Sequence, residues 1–253
     1  VIFALYPHVF VEWIKENQHL FKSGCIITDV TGVKRNIVYK IQSMLREDVE
    51  FIAAHPMAGR EVSGVENSTD MMFKGANYIV TPTKSSSAEA IELAKSIGEE
   101  LEFGKISILS PEEHDEMIAF LSQLTHCIAV ALMTCKESQH LKDYTGDSFR
   151  DLTRIAKINE NLWSELFILN KEELINQMDL FLEQFTNLKE AINNPCIVHY
   201  TAAYKPWRKN CTNPYKSEFF KYKKLTKWKD YPLWKAPKTT WRMKIKKMLS
   251  NLG

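Results

Sequence analysis

The sequence predicts an α/β protein: a parallel sheet with helices packed on it, followed by an all-helical domain. Three observations carry this expectation. Short apolar, strand-type runs alternate with helical stretches over the first 105 residues. After "SP" at Ser110-Pro111 the strand pattern stops, and apolar residues recur at steps of three and four. From residue 195 neither pattern continues.

The opening "VIFALY" (1–6) reads as a buried strand that Pro7 ends, and a helix follows over about 9–21. "CIITDV" (25–30) is the second strand, followed by a turn at Gly32 and a helix over about 34–45. "VEFIAA" (49–54), "NYIVTP" (77–82) and "EFGKISIL" (102–109) complete the strands, with a helix over about 88–101 before the last. In such sheets ligands bind beyond the carboxyl ends of strands. Three such ends fall at Tyr6-Pro7, at 29–34 and at 55–61. Ser110, Pro111 and the acids after them form a helix start. Met117, Leu121, Leu124, Ile128 and Ala131 then mark one apolar stripe. Leu174, Met178, Phe181, Phe185, Leu188 and Ile192 mark a second, which reads as core or as a dimer seam. The expected divisions are 1–105, 106–194 and 195–253.

Composition excludes several classes. No unbroken apolar run reaches the ~18 residues of a membrane span, and "VIFALY" lacks the basic start and cleavage site of a secretory signal. Five cysteines, widely spaced and without a CxxC pair, argue against a disulfide framework or structural zinc and fit a reducing cytoplasm. The net charge of +2 conceals a division. Residues 195–253 carry 15 Lys/Arg against two acids, while the first 194 carry 18 against 29. Four of the six tryptophans also lie in this last segment. It reads either as a shifted reading frame after about Asn194 or as a basic-aromatic appendage for nucleic acid or an anionic surface, and the absence of any binding motif favours the former.

The stretch 55–64, "HPMAGREVSG", places an imidazole, a guanidinium and a carboxylate on a glycine-hinged segment directly after a strand. His55 is either a locally satisfied structural histidine or a base able to accept a proton from a hydroxyl near pH 7. Ser122 and His126 are four apart and share one helix face, as a polar edge or as site residues. Asp151 and Arg154, three apart, form either a solvated ion pair or a buried clamp for a carboxylate. Asp29 and Lys34 flank Gly32 at a strand end suited to an anion or a carboxamide.

Together, "HPMAGREVSG", "FKGANYIVTP", "SPEEHDEMIAFLSQLTHCIAVAL" and "FRDLTRIAKINENLWSELFILN" resemble the prephenate dehydrogenase family, in the family's order and spacing, from Val1 to about Asn193. The resemblance implies a partial Rossmann-type sheet followed by an all-α dimerisation domain. It implies oxidative decarboxylation of prephenate to 4-hydroxyphenylpyruvate with NAD, leaving NADP and the arogenate-specific variant open. On this likeness His55 accepts the hydrogen bond of the substrate hydroxyl, and Glu61 organises and gates the pocket. Ser122 and His126 come from the helical domain, and Arg154 binds a substrate carboxylate with Asp151 as its ion-pair partner. Leu5, Tyr6, Thr31 and Gly32 lie on the nicotinamide side. Prephenate and a second copy of the chain are the implied partners. Gly32 stands where the family has a serine, whose contact is absent here or taken by Thr31. Asp147 adds negative charge near the anion site. The G-x-G-x-x-G fingerprint and the ribose-binding acid are not found, so the chain is expected to begin inside the nucleotide-binding domain and, alone, to bind NAD weakly. The other readings are an inactive remnant that only dimerises, and a polyanion binder using residues 205–247.

Overall fold

The computed structural model describes residues 1–193, except 60, 61, 63, 70 and 138, together with 216–224 and 230. These fall into two compact units, 1–184 and 185–253. Glu61 and nearly all of the basic segment from residue 195 onward lie outside the described residues.

The first unit opens with β1 (Ile2–Phe3), then α1 (Pro7–Asn17), whose first position Pro7 holds the φ a helix needs. β2 (Cys25–Asp29), α2 (Arg35–Met44) and β3 (Val49–Phe51) follow. β1, β2 and β3 pair in parallel, with Phe3 opposite Asp29 and Ile27 opposite Phe51. β4 (Ala53–Met57) continues from β3 after one residue, Ile52, whose N–H donates to the Ile27 carbonyl at 3.0 Å. β4 lies antiparallel to β5 (Asn77–Thr81), which after α3 (Ala88–Glu100) runs parallel to β6 (Lys105–Ile108). The parallel α/β pattern therefore carries one antiparallel pair. It arises because the described part of the connection from β4 to β5 holds only a 3-10 turn (Val65–Asn67) and no crossover helix, and β4 itself runs on past the expected end at Ala54 through His55, Pro56 and Met57. A Cβ at Gly98 of α3 would lie 2.7 Å from the Tyr78 ring, so this glycine lets the helix sit close on β5.

The strands form two three-stranded sheets, β1–β2–β3 and β4–β5–β6, and two apolar clusters hold them. Phe3, Phe10, Ile14, Ile27, Val38, Ile41 and Phe51 form one, joined by Leu166 from a later helix; Ile52, Ala54, Tyr78, Val80, Ala90 and Ala94 form the other. Alternate residues of a strand face opposite sides, so Phe51 and Ile52 enter different clusters.

Ser110 begins α4 (Pro111–Ile118) at the expected helix start and forms a capping box there, its hydroxyl accepting from Glu113 N–H while Glu113 returns to Ser110. A π-helical turn (Ala119–Gln123) joins α4 to α5 (Leu124–Thr134) without a break. α6 (Leu141–Tyr144) and α7 (Asp147–Thr153) are short, and a 3-10 turn (Arg154–Ala156) precedes α8 (Glu160–Leu169). α9 (Lys171–Asn193) runs from the first unit into the second, where α10 (Lys216–Lys224) is also described. The buried face of α4–α5 differs from the expected stripe. His114, Asp115, Ile118, Ala119, Gln123, Leu124 and Ala129 are buried, whereas Met117 and Leu121 are exposed. The π turn inserts an extra residue into the register, and the inward polar groups are hydrogen-bonded to other elements, so a polar face is buried. By length and composition alone, Pro111–Thr134 is apolar enough to cross a membrane, a property that counting unbroken apolar runs misses. Its buried polar residues instead tie it into the first unit.

Candidate active site

Asp29 ends β2 and Lys34 leads into α2, and both are enclosed, with 1% and 0% of their surface exposed. Lys34 Nζ donates to both carboxylate oxygens of Asp29 at 2.9 and 2.8 Å, and to the Ala54 carbonyl at 2.6 Å. Asp29 Oδ1 in turn accepts the Ala54 N–H at 3.2 Å. One ion pair thus grips both backbone groups of the residue before His55. Burial pushes the Lys34 ammonium pKa down, and the Asp29 carboxylate opposes that shift. The Thr31 hydroxyl is engaged with Asp29, the Val33 carbonyl and Lys34.

His55 is half-buried in β4, opposite Ile79, rather than on the loop that follows. Its Nδ1 is 2.9 Å from Nε2 of His114, which is wholly buried on α4. His114 Nδ1 is 2.8 Å from Asp115 Oδ1. Asp115 also accepts the N–H groups of Lys34 at 2.7 Å and Arg35 at 2.8 Å, capping α2 from a distant helix. Asn170 donates to the Asp115 carbonyl at 2.8 Å and to Gln123 at 2.9 Å, and Gln123 donates to the Leu166 carbonyl at 3.0 Å. Burial holds His55 well below the usual imidazole range, with neighbouring His114 and Lys34 as lesser causes. Burial lowers His114 as well, against the pull of its hydrogen bond to Asp115.

The other edge of the His55 ring turns toward Gly32. A Cβ built on Gly32 would lie 4.0 Å from His55 Nε2 and 3.4 Å from a Leu166 methyl. Leu5 and Tyr6 follow β1, the strand paired with β2, and are 37% and 41% exposed. Tyr6 stacks on His8 and accepts a hydrogen bond from Asn159 at 3.3 Å. An open groove of about 700 Å³, lined by residues including Tyr6, His8, Glu165 and Ile168, adjoins this edge and does not include His55.

Ser122 lies in the π turn, a helix irregularity that recurs at functional sites. Its carbonyl is 2.8 Å from His126 Nδ1, and the His126 ring packs on Trp163 with centroids 3.7 Å apart. Trp163 and Leu166 both belong to α8, so this helix connects the His126 group to the Gly32–His55 edge. Arg154 and Asp151 are exposed, and the turn that carries Arg154 packs against α5. The structure thus groups His55 with Gly32, and His126 with Ser122, on elements joined by α8. His114, Asp115, Trp163 and Leu166 join the site without being among the residues the sequence singles out. The adjacent His-Asp pair inside "SPEEHDEM" was the available signal, since an ionisable pair three residues into a helix faces the interior only when it has partners there.

Comparison with known proteins agrees with this architecture. The family model described as "Prephenate dehydrogenase, nucleotide-binding domain" matches residues 1–120, and "Prephenate dehydrogenase, dimerization domain" matches 110–199. A solved structure of prephenate dehydrogenase from Aquifex aeolicus, in complex with hydroxyphenyl propionate and NAD+, has a TM-score of 0.70 and 32% identity, covering 76% of this chain and 68% of that one. The prephenate dehydrogenase of Bacillus subtilis is 30% identical over 171 residues, 65% of this chain and 45% of that protein. A stretch of 39 residues, 15% of the chain, is 46% identical to General stress protein A of Bacillus subtilis. The chain belongs to the prephenate dehydrogenase family. It spans between 45% and 60% of the length of the first three curated relatives that it matches.

Proposed function

We propose that this chain carries the substrate side of an NAD-dependent oxidative decarboxylation of prephenate to 4-hydroxyphenylpyruvate. The observation that carries the reading is His55: an uncharged imidazole on a rigid strand, with one ring edge held by His114 and the other turned toward Gly32. A neutral imidazole accepts a proton, and its fixed orientation removes the entropy of finding the hydroxyl. As the substrate C–O–H becomes a carbonyl, His55 takes the hydroxyl proton. Loss of the ring carboxylate as carbon dioxide leaves its bonding electrons in the ring, and His55 returns the proton to the phenol oxygen. The exposed Leu5–Tyr6 edge and the side-chain-free Gly32 fit the nicotinamide end of NAD, which when bound supplies the hydride acceptor.

In this reading Ser122 and His126 contact the substrate from the helical side, Arg154 binds a carboxylate with Asp151 beside it, and Glu61 gates the pocket. Arogenate differs from prephenate in its side chain, not in the reacting ring, so the same residues serve either substrate. The partner is a second copy of the chain through the helical domain, in a reducing, cytoplasmic setting. The test is NADH formation, followed by its absorbance, when the protein receives prephenate and NAD raised until the rate no longer depends on it, which offsets the weak NAD binding expected of this chain. His55→Asn is expected to lower kcat by about 10²–10⁴-fold with KM little changed. Unchanged turnover in that variant would remove His55 from the chemistry.

A further inference from the structure

A histidine that accepts a substrate proton is useful only if the correct ring nitrogen is bare. We infer that His114, fixed by Asp115, is a positioning residue that sets His55 in the tautomer whose bare nitrogen faces Gly32. The inference rests on the reading of His55 as the proton acceptor and extends it to which nitrogen does the accepting.

The proton positions follow from donors and acceptors taken in order. Asp115 accepts the backbone N–H groups of Lys34 and Arg35, so both its oxygens serve as acceptors. The contact between His114 Nδ1 and Asp115 Oδ1, at 2.8 Å, then requires the proton on His114 Nδ1. His114 is fully enclosed and its burial favours the neutral ring, so its Nε2 is bare and accepts. At 2.9 Å from that nitrogen, His55 Nδ1 must donate. A neutral His55 with its proton on Nδ1 has a bare Nε2, and Nε2 is the atom on the Gly32 side. Each step leaves one assignment. The groups that face His55 from the packed elements are His114 on α4 and Lys34 before α2, and the Lys34 ammonium is committed to Asp29 and Ala54. No other hydrogen-bond acceptor is described at His55 Nδ1, so without His114 the ring loses what distinguishes its two tautomers.

The experiment uses the whole chain labelled with ¹⁵N-histidine, with the His55 signals identified by their loss in His55→Asn. Long-range ¹H–¹⁵N correlation spectra separate protonated from bare ring nitrogens without any substrate. The expected wild-type spectrum has His55 protonated at Nδ1 and bare at Nε2. His114→Phe keeps a ring but removes the acceptor. It should give a mixture of His55 tautomers and lower kcat by about 10- to 100-fold, with KM within about threefold. His114→Gln places an amide oxygen near the lost Nε2 and should restore both the single tautomer and most of the turnover, which a merely structural role for His114 does not predict. A wild-type His55 protonated at Nε2 overturns the inference, as does a His114→Phe spectrum identical to wild type. If the tautomers behave as expected but the wild type does not turn over prephenate, the functional reading fails and the positioning role stands. If prephenate is turned over while tautomer and kcat ignore both substitutions, the positioning role fails alone.

Discussion

At the residue scale, His55 and His114 show how burial decides a protonation state. Two imidazoles with ring nitrogens 2.9 Å apart cannot both be charged in an enclosed site, and burial pulls both below the ordinary value of 6.5. An unfolded chain protonates both near that value. Below about pH 6.5 the unfolded state therefore binds more protons than the folded state, and stability falls as pH falls, until the folded-state values are reached. Above 6.5 both states are neutral and these two residues contribute no pH dependence. The expected slope approaches about 1.4 kcal/mol per pH unit for each histidine inside that window. Urea midpoints measured between pH 8 and pH 5 check this. His114→Gln should flatten the decline, and an equally steep fall in that variant would place its cause elsewhere.

At the element scale, the start of α2 is capped by a residue 80 positions away. Lys34 and Arg35 present N–H groups with no local side-chain cap, and Asp115 accepts both, so α2 and α4 stabilise one another. Asp115→Ala leaves two helix-terminal donors and the His114 N–H without their partner, and is expected to cost about 3–5 kcal/mol in chemical denaturation. A loss under about 1 kcal/mol would mean that water replaces the carboxylate. This cap also marks what could be read in the sequence. Local signals were legible: the helix start at Ser110-Pro111 and the strands and helices alternating through residue 108, whereas Pro7, read as the end of a strand, proves to be the first residue of α1. His55, Ser122, His126 and Arg154 were singled out by motif, whereas the network behind His55 joins residues 59 and 80–81 apart, which no local period encodes. The extension of β4 through Pro56 was hidden because proline ordinarily ends a strand. The stripe fails at Met117 because α4 turns His114, Asp115 and Ile118 inward, and at Leu121 because it sits in the π turn, where the register changes.

At the scale of the whole molecule, the two family models together extend from residue 1 to 199 and leave residues 200–253, nearly all of the basic segment, uncovered. A shifted reading frame after about residue 194 remains our proposal for that segment. The helical region poses a separate problem of exposed apolar surface. Phe120 and Leu121 are 52% and 55% exposed, and along α9 Leu182, Leu188 and Ile192 are 58%, 55% and 66% exposed. Scattered single apolar residues are ordinary on a surface, but a helix whose apolar face stays uncovered over several turns is characteristic of an association surface. Pro111–Thr134 is apolar enough for a membrane by composition partly because Phe120 and Leu121, which contribute to that composition, are exposed rather than packed in the core. A second copy is the occupant we propose, and charge at the seam tests it. Leu188→Glu with Ile192→Glu would place four carboxylates in a two-fold interface, a change of several kcal/mol against association. Sedimentation velocity should show a dimer for the wild type and a monomer for the double variant at the same concentration. Helical content by circular dichroism should stay the same, because both side chains are exposed within one chain. A wild-type monomer, or a variant that still dimerises, would remove α9 from the interface.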